Sequence, residues 1–302
     1  MSSVLISGGS GLVGHRLTEL LSARGYSVSW LSRSSTTQTS IPINTYKWNV
    51  EEQTIDPKSI SEVDYIINLA GAGIADKRWT ESRKKVILES RTNSVNLLRK
   101  TLAVTPNNVK AFISASAIGY YGERGDQSMN ENDTPANDFL GNCCVEWERA
   151  VDEIDKLNIR TVKVRTGVVL SLEGGALPKM AQPIKLGLGA ALGNGHQWMS
   201  WIHIDDLCNI YIKAIEDEQF SGAYNAVAPL PVTNAQLTKT LASVVHKPLW
   251  LPNPPAFILK LALGEMSSVI LSSTKVSAEK LKNEGFQFQF PTIDIALKQL
   301  YS

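Results

Sequence analysis

The junction between the first strand and the first helix constrains this chain most. Val4-Leu5-Ile6 is an apolar run of strand length, and it passes directly into Ser7-Gly8-Gly9-Ser10-Gly11-Leu12-Val13-Gly14. A helical pattern follows at once over 12–24, with Leu17, Leu20 and Leu21 on one face and Gly25 as its stop. Glycines at this spacing have separate jobs. Gly8 permits a tight turn, Gly11 lets the backbone approach a pyrophosphate, and Gly14 lets the helix pack close to the strand. The helix start offers free N–H groups and the positive end of its dipole. Glycines alone would be weak evidence. With a strand before them and a helix behind, they predict a dinucleotide-binding turn.

The rest of the chain extends that unit. Further apolar runs fall at 27–31, 46–48, 65–69, 111–114 and 161–164, and helical patterns span 79–102 and 138–157. Strands alternating with helices predict a parallel, doubly wound sheet. After about residue 170 the pattern changes. Gly174-Gly175 and 187–195 read as glycine-rich loops, a helix begins near Asp205, and Ala223-Tyr224-Asn225 reads as a last strand. Prolines then mark the boundaries from Pro229 to Pro255, with short helices predicted at 234–245, 256–263 and 277–283. The expected fold is α/β: a Rossmann-like doubly wound parallel sheet over 1–170, with 203–228 returning to it. Residues 171–202 and 229–302 form a small, mainly helical C-terminal substrate lobe.

Composition removes several alternatives. The 302 residues are 43% hydrophobic with a formal net charge of +1, which gives no reason to expect nucleic acid or an anionic membrane surface as partner. Arg83-Lys84-Lys85 falls in a helical pattern and reads as a solvated face. The sequence shows neither a secretory signal pattern nor an apolar run of membrane-spanning length. Three cysteines, two of them adjacent (Cys143, Cys144), fit a reducing compartment, and a cytoplasmic location is expected. The four histidines are scattered, so no metal site is expected.

The end of the second strand selects the cofactor. An NAD enzyme places a carboxylate there to hold the ribose hydroxyls. This chain has Ser32-Arg33-Ser34-Ser35. A guanidinium binds a 2′-phosphate that a carboxylate would repel, so the expected cofactor is NADP(H).

At this point the chain resembles the extended short-chain dehydrogenase/reductase superfamily. The shared features are the Gly8/Gly11/Gly14 spacing, Asn68-Leu69-Ala70-Gly71, Tyr121-Gly122, Arg165-Thr166-Gly167-Val168 and His203-Ile204-Asp205-Asp206. It is more closely similar to the atypical, YfcH-like "epimerase family protein" group. That group's hallmarks stand here as Arg78-Trp79-Thr80, Ser90-Arg91, Asp138-Phe139-Leu140, Trp147-Glu148 and the run from Gln197 to His203. Gly285-Phe286-Gln287-Phe288 resembles that group's small C-terminal domain of unknown function. The resemblance implies cofactor contacts at Gly8, Ser10, Gly11, Leu12 and Val13 for the pyrophosphate, and at Ser32 and Arg33 for the 2′-phosphate. It also implies Leu69 and Ala70 along the ribose, Arg91 at phosphate or ribose, and the Val168 backbone at the nicotinamide amide. A helix-face salt bridge is the competing reading of Arg91. A monomer or a homodimer through the two long helices is implied.

The superfamily's catalytic set, a Tyr-x-x-x-Lys pair and a serine, is not where it is expected. The tyrosine region reads Phe139-Leu140-Gly141-Asn142-Cys143-Cys144, and Ala117 stands at the serine position. Candidate substitutes are Tyr120 and Tyr121, just past the fifth strand and each with packing as the alternative, and Ser114 or Ser116, which could polarise a carbonyl. Cys143 is a further candidate, and a buried helix residue is its alternative. Trp79, Trp198 and Trp201 could form a platform for a ring substrate or anchor loops to the core. Asp205 is expected to cap a helix, in a segment whose role is architectural. Two functions follow: an oxidoreductase or epimerase acting on an unknown small molecule, or a non-catalytic NADP(H)-sensing or regulatory protein, which some relatives link to cell division.

Overall fold

The computed structural model describes residues 2–33 and 43–302. Ser34 and Ser35, expected near the 2′-phosphate, lie outside the described residues. The chain runs β1 (Ser3–Ser7), α1 (Leu12–Ala23), β2 (Ser27–Ser32), β3 (Asn44–Asn49), β4 (Thr54–Ile55), α2 (Lys58–Ser61), β5 (Tyr65–Asn68), α3 (Glu81–Val104), β6 (Ala111–Ala117), β7 (Ser128–Met129) and α4 (Phe139–Asp155). It continues through β8 (Arg160–Thr166), β9 (Val168–Leu170), α5 (Ala176–Lys185), β10 (Trp198–Met199), β11 (Trp201–His203), α6 (Ile204–Glu216) and β12 (Gly222–Ala226). The remainder is β13 (Val232–Thr233), α7 (Asn234–Val244), α8 (Ala256–Leu263), α9 (Ser268–Leu271), β14 (Lys275–Val276), α10 (Glu279–Asn283) and α11 (Ile293–Tyr301).

The main sheet has the order β12-β8-β6-β5-β1-β2-β3-β4, parallel except for β4 against β3. The chain winds outward from β1 to β2 and β3, then returns to the other side of β1 as β5. That reversal creates a crevice at the carboxyl ends of β1 and β5, where ligands bind in open α/β sheets. Both faces are covered, as the continuous apolar strands require. Leu17 and Leu21 of α1 and Leu207, Tyr211 and Ile215 of α6 share one core. Val95, Leu98 and Leu102 of α3 share the opposite core with Trp147, Val151 and Ile154 of α4.

A third core joins α5, α7 and α11: Leu177, Ile184, Leu237, Leu241, Ala296 and Leu297 gather around Trp201. Two of these helices were not expected. α5 hides between glycines and contains Pro178 and Pro183, yet Leu177, Ala181 and Ile184 keep a helical spacing and are buried. α11 follows Pro291 and is capped by the Thr292 hydroxyl, which accepts from the Ile295 N–H. Leu281 and Phe286, from the C-terminal stretch, enter the core under α1 and α6 instead of this third cluster.

Candidate functional site

The glycine turn is built by contacts that glycine alone allows. Gly8 has φ +74°, and a Cβ there would stand 3.0 Å from the Leu69 carbonyl carbon. A Cβ on Gly14 would overlap the Gly8 carbonyl, so α1 and the turn touch backbone to backbone. Gly9 was given no role by the sequence reading. Its Cα faces the Trp30 indole so closely that a Cβ would enter the ring. The Trp30 Nε1–H donates to Thr18 Oγ1 at 2.9 Å, which fixes the indole under the turn.

The helix start is open. Gly11 is the N-cap residue and offers no side-chain acceptor, and the first turn of α1 holds no acidic residue. Ser10 and Gly11 are exposed. The first N–H groups of α1 therefore face the crevice with a positive dipole end, and neither the cap nor the first turn supplies an anion to neutralise it.

Neighbouring strands bring the other expected residues to the same edge. Ser7 pairs with Leu31 of β2 and with Asn68 of β5, which sets Ser32 and Arg33 on one side of the turn and Leu69 and Ala70 on the other. Arg33 is exposed. No Asp or Glu occurs between Glu19 and Glu51 in the sequence, so no carboxylate follows β2. Below the turn, Ser7 Oγ donates to Asn68 Oδ1 at 2.6 Å, and Asn68 Nδ2 donates to Ser114 Oγ at 3.3 Å, all three fully buried. This ladder ties three strand ends together and engages Ser114.

Arg91 approaches the crevice from α3. Its Nη1 donates to the carbonyls of Ala72 (3.0 Å) and Ile87 (2.8 Å), and its guanidinium lies 5.1 Å over the Trp147 ring. Among the described residues it makes no ion pair, so the helix-face salt bridge is not what is found. Burial lowers its pKa, only partly offset by the nearby Cys143 and Cys144 thiols. Val168 is placed past β8, but its N–H donates to Ser200 O at 2.9 Å within the β9–β11 ladder. That amide is already engaged and leaves no free N–H for a nicotinamide amide.

The candidate substitutes for the catalytic set differ in what surrounds them. Ser116 is buried, and its hydroxyl donates to Glu148 Oε1 at 2.6 Å. Tyr121 is fully buried; its hydroxyl donates to Asn225 Oδ1 at 2.7 Å and accepts from Arg165 Nη1 at 2.9 Å. Burial pushes that hydroxyl up to about 12, the nearby Arg165 cation only moderating it. Both hydroxyls are thus engaged by partners inside the protein. Tyr120 is half-buried and lies flat against the Arg165 guanidinium, 3.6 Å from ring centroid to Cζ. Of the three, it alone keeps some access to solvent.

These residues form one buried network that the sequence reading did not anticipate. Glu148 and Arg165 pair bidentately, Nε to Oε1 and Nη2 to Oε2, both at 2.8 Å. Burial disfavours the Arg165 cation, and the bonds and charge of Glu148 more than offset it, so its pKa ends above the ordinary value. A signal was present: Glu148 sits on the apolar stripe of α4 with Cys144 and Val151, where an unpaired charge could not stay.

The cysteines and tryptophans resolve toward packing. Burial pushes the Cys143 thiol up, and the Cys144 thiol to about 12, so neither is a ready nucleophile. Trp79 Nε1–H donates to Ile74 O (2.8 Å) and Trp201 Nε1–H to Leu230 O (3.1 Å), and both rings are buried. Trp198 is half-buried, with its Nε1–H on Asp126 Oδ1 at 2.7 Å and Lys275 over its ring. Asp205 is not the cap of α6. His203 is, its Nδ1 accepting the Asp205 N–H at 3.1 Å, while the Asp205 carboxylate pairs with Arg16 Nε at 2.6 Å. The architectural role expected for this segment is carried further by Asp206, which is fully buried and accepts the N–H groups of Gln289 (2.9 Å) and Phe290 (3.0 Å).

With this geometry in place, comparison with known proteins is informative. Residues 4–227 match the model of the NAD dependent epimerase/dehydratase family, and residues 254–300 match a domain of unknown function (DUF1731). The chain is 38% identical to epimerase family protein YfhF of Bacillus subtilis (strain 168), over 99% of this chain and 97% of that one. Its structure resembles that of the human epimerase family protein SDR39U1 (isoform2) with NADPH, at TM-score 0.88 and 32% identity over 99% of both chains. It also resembles a nucleoside-diphosphate sugar epimerase from Corynebacterium glutamicum, at TM-score 0.81 and 33% identity, covering 99% of this chain and 58% of that one.

Proposed function

The chain belongs to the NAD dependent epimerase/dehydratase family, and on that premise we propose that it binds NADP(H) and acts as an atypical oxidoreductase or epimerase on a small molecule. One observation carries the cofactor reading: an open helix start beside a turn that only glycine permits, with Arg33 and no carboxylate at the end of β2. Gly8, Ser10, Gly11, Leu12 and Val13 cradle the pyrophosphate. Ser32 and Arg33 take the 2′-phosphate, and Leu69 and Ala70 flank the ribose. Arg91 keeps donors beyond its two carbonyl bonds and supplies one cation at the crevice. The structure of the human relative is one with NADPH, which supports the choice.

A nicotinamide held here would supply or accept hydride. The chain's own part is to bind, orient and exclude water. The segments 171–202 and 229–302 act as the lobe that closes the substrate side of the crevice. Tyr120 is the remaining polar candidate for contact with substrate, and its stack on Arg165 holds the ring in place. The second reading, an NADP(H)-sensing protein without chemistry, is favoured by the sequestration of Ser116, Tyr121, Cys143 and Cys144.

Thermal unfolding with NADPH, NADH or neither tests the binding. A ligand at a hundredfold over its Kd adds about 2.7 kcal/mol. NADPH is expected to raise the midpoint more than NADH, with Arg33→Ala erasing the difference. No shift with either nucleotide overturns the reading. Exchange of label from 4-deuterated NADPH into a metabolite extract then separates the enzyme from the sensor.

A further inference from the structure

The formal net charge of +1 averages over an uneven surface. Residues 174–204 and 219–264 contain no Asp or Glu, yet they carry Lys179, Lys185, Lys239, Lys247 and Lys260. The two stretches fold against each other. The Gly193 N–H donates to Pro254 O at 3.1 Å, and Cβ atoms on Gly189 and Gly193 would stand 2.9 Å from Leu249 and 3.9 Å from Ala256.

On this lysine-bearing surface lies an apolar helix with no fully buried residue, and the first acid beyond it, Glu265, is paired with Lys84. α8 reads Ala256-Phe257-Ile258-Leu259-Lys260-Leu261-Ala262-Leu263, and none of its residues is buried. Phe257 is 69% exposed, Leu261 80%, and Trp250, just upstream, 68%. Leu186 and Leu188, on the loop packed alongside, are exposed at 68% and 58%. At about 150–250 Å² for a large side chain, these groups present roughly 600 Å² of apolar surface, at the top of what a soluble monomer ordinarily shows in one patch.

The charge pattern selects the occupant. A second copy docking here by a two-fold would set this lysine-bearing patch against the same patch, with no carboxylate in either stretch to pair Lys185, Lys247 and Lys260. An anionic bilayer surface complements both features: the apolar side chains enter the acyl boundary and the lysines reach the head-group phosphates. We propose that α8, Trp250 and the loop carrying Leu186 and Leu188 form a membrane-docking face that seats the protein peripherally on an anionic bilayer. No helix among the described residues is long and apolar enough to cross a membrane, so this contact lies in the interface plane.

The test is co-sedimentation of the full chain with vesicles of phosphatidylcholine alone or mixed with phosphatidylglycerol, at low and physiological salt. Binding to the mixed vesicles is expected, at least tenfold tighter than to phosphatidylcholine and weakening with salt. The pair Lys247→Gln/Lys260→Gln should weaken it about thirtyfold, at about one elementary interaction per lysine. The pair Phe257→Ser/Leu261→Ser should weaken it more than a hundredfold. All four side chains are exposed, so the thermal midpoint should stay where it is. A wild-type protein that remains in the supernatant with the mixed vesicles overturns the proposal, as does pelleting that neither variant pair changes. A dimer in sedimentation velocity that Phe257→Ser/Leu261→Ser dissolves, without vesicle binding, also overturns it and assigns the patch to a second copy.

Discussion

Glu148→Gln is the perturbation whose effect follows most directly from the structure. The carboxylate is 6% exposed and its partner Arg165 is 4% exposed, so water can replace little of what the substitution removes. Both carboxylate oxygens are engaged, Oε1 by Arg165 Nε and Ser116 Oγ, and Oε2 by Arg165 Nη2. The amide keeps the shape and one acceptor but leaves an uncompensated buried guanidinium. Removing one partner of such a pair costs about 3–5 kcal/mol. At roughly 2 °C per kcal/mol for a chain of this size, the midpoint should fall by about 6–10 °C. Urea unfolding of Glu148→Gln, Arg165→Met and the double variant gives the coupling directly. The double variant should be more stable than the sum of the singles by about 2 kcal/mol or more, because neither charge is then left alone. Strict additivity, or a Glu148→Gln midpoint within the scatter of wild type, would refute the view that this pair holds β8 to α4.

Three further outcomes are expected. Gly14→Ala drives a Cβ into the Gly8 carbonyl, so it should destabilise the fold by about 1–3 kcal/mol and abolish the NADPH-induced shift, read by thermal unfolding. Cys143, Cys144 and Cys208 are all buried with raised thiol pKa values, so the native protein at pH 8 should resist iodoacetamide, and mass spectrometry should find all three modified only after denaturation. Burial lowers the pKa of His203, so the stability it contributes is present above the ordinary histidine value of about 6.5 and is lost as pH falls through the folded value. The midpoint should drop on acidification in wild type, and His203→Asn, which keeps a capping acceptor, should flatten that part of the profile.

The Rossmann half was legible because its signals are local. The glycine turn, the apolar strands and the helix stops each lie within a few residues, and β1, α1 and β12 fall where the pattern puts them. The placement of Arg33 and Leu69 beside the turn follows for the same reason, since strand register alone carries them there. What was missed is long-range. Ser116 and Tyr121 look available beside a strand end, and only Glu148, Arg165 and Asn225, from distant parts of the chain, show them to be bound. The Val168 N–H is likewise taken by a distant group, the Ser200 carbonyl more than thirty residues on. α5 was concealed by its own prolines and glycines.

The hold of Asp206 on residues 289 and 290 has a consequence for how the protein can be made and divided. Until those two amides arrive, the ribosome has released a nearly complete sheet whose α6 carries a buried carboxylate without its donors, over a core still lacking Leu281 and Phe286. Folding of the N-terminal unit therefore waits on residues more than sixty positions beyond its last sheet strand, β12. The two regions matched by separate family models should therefore unfold together, and a gene cut between them should yield neither half in native form.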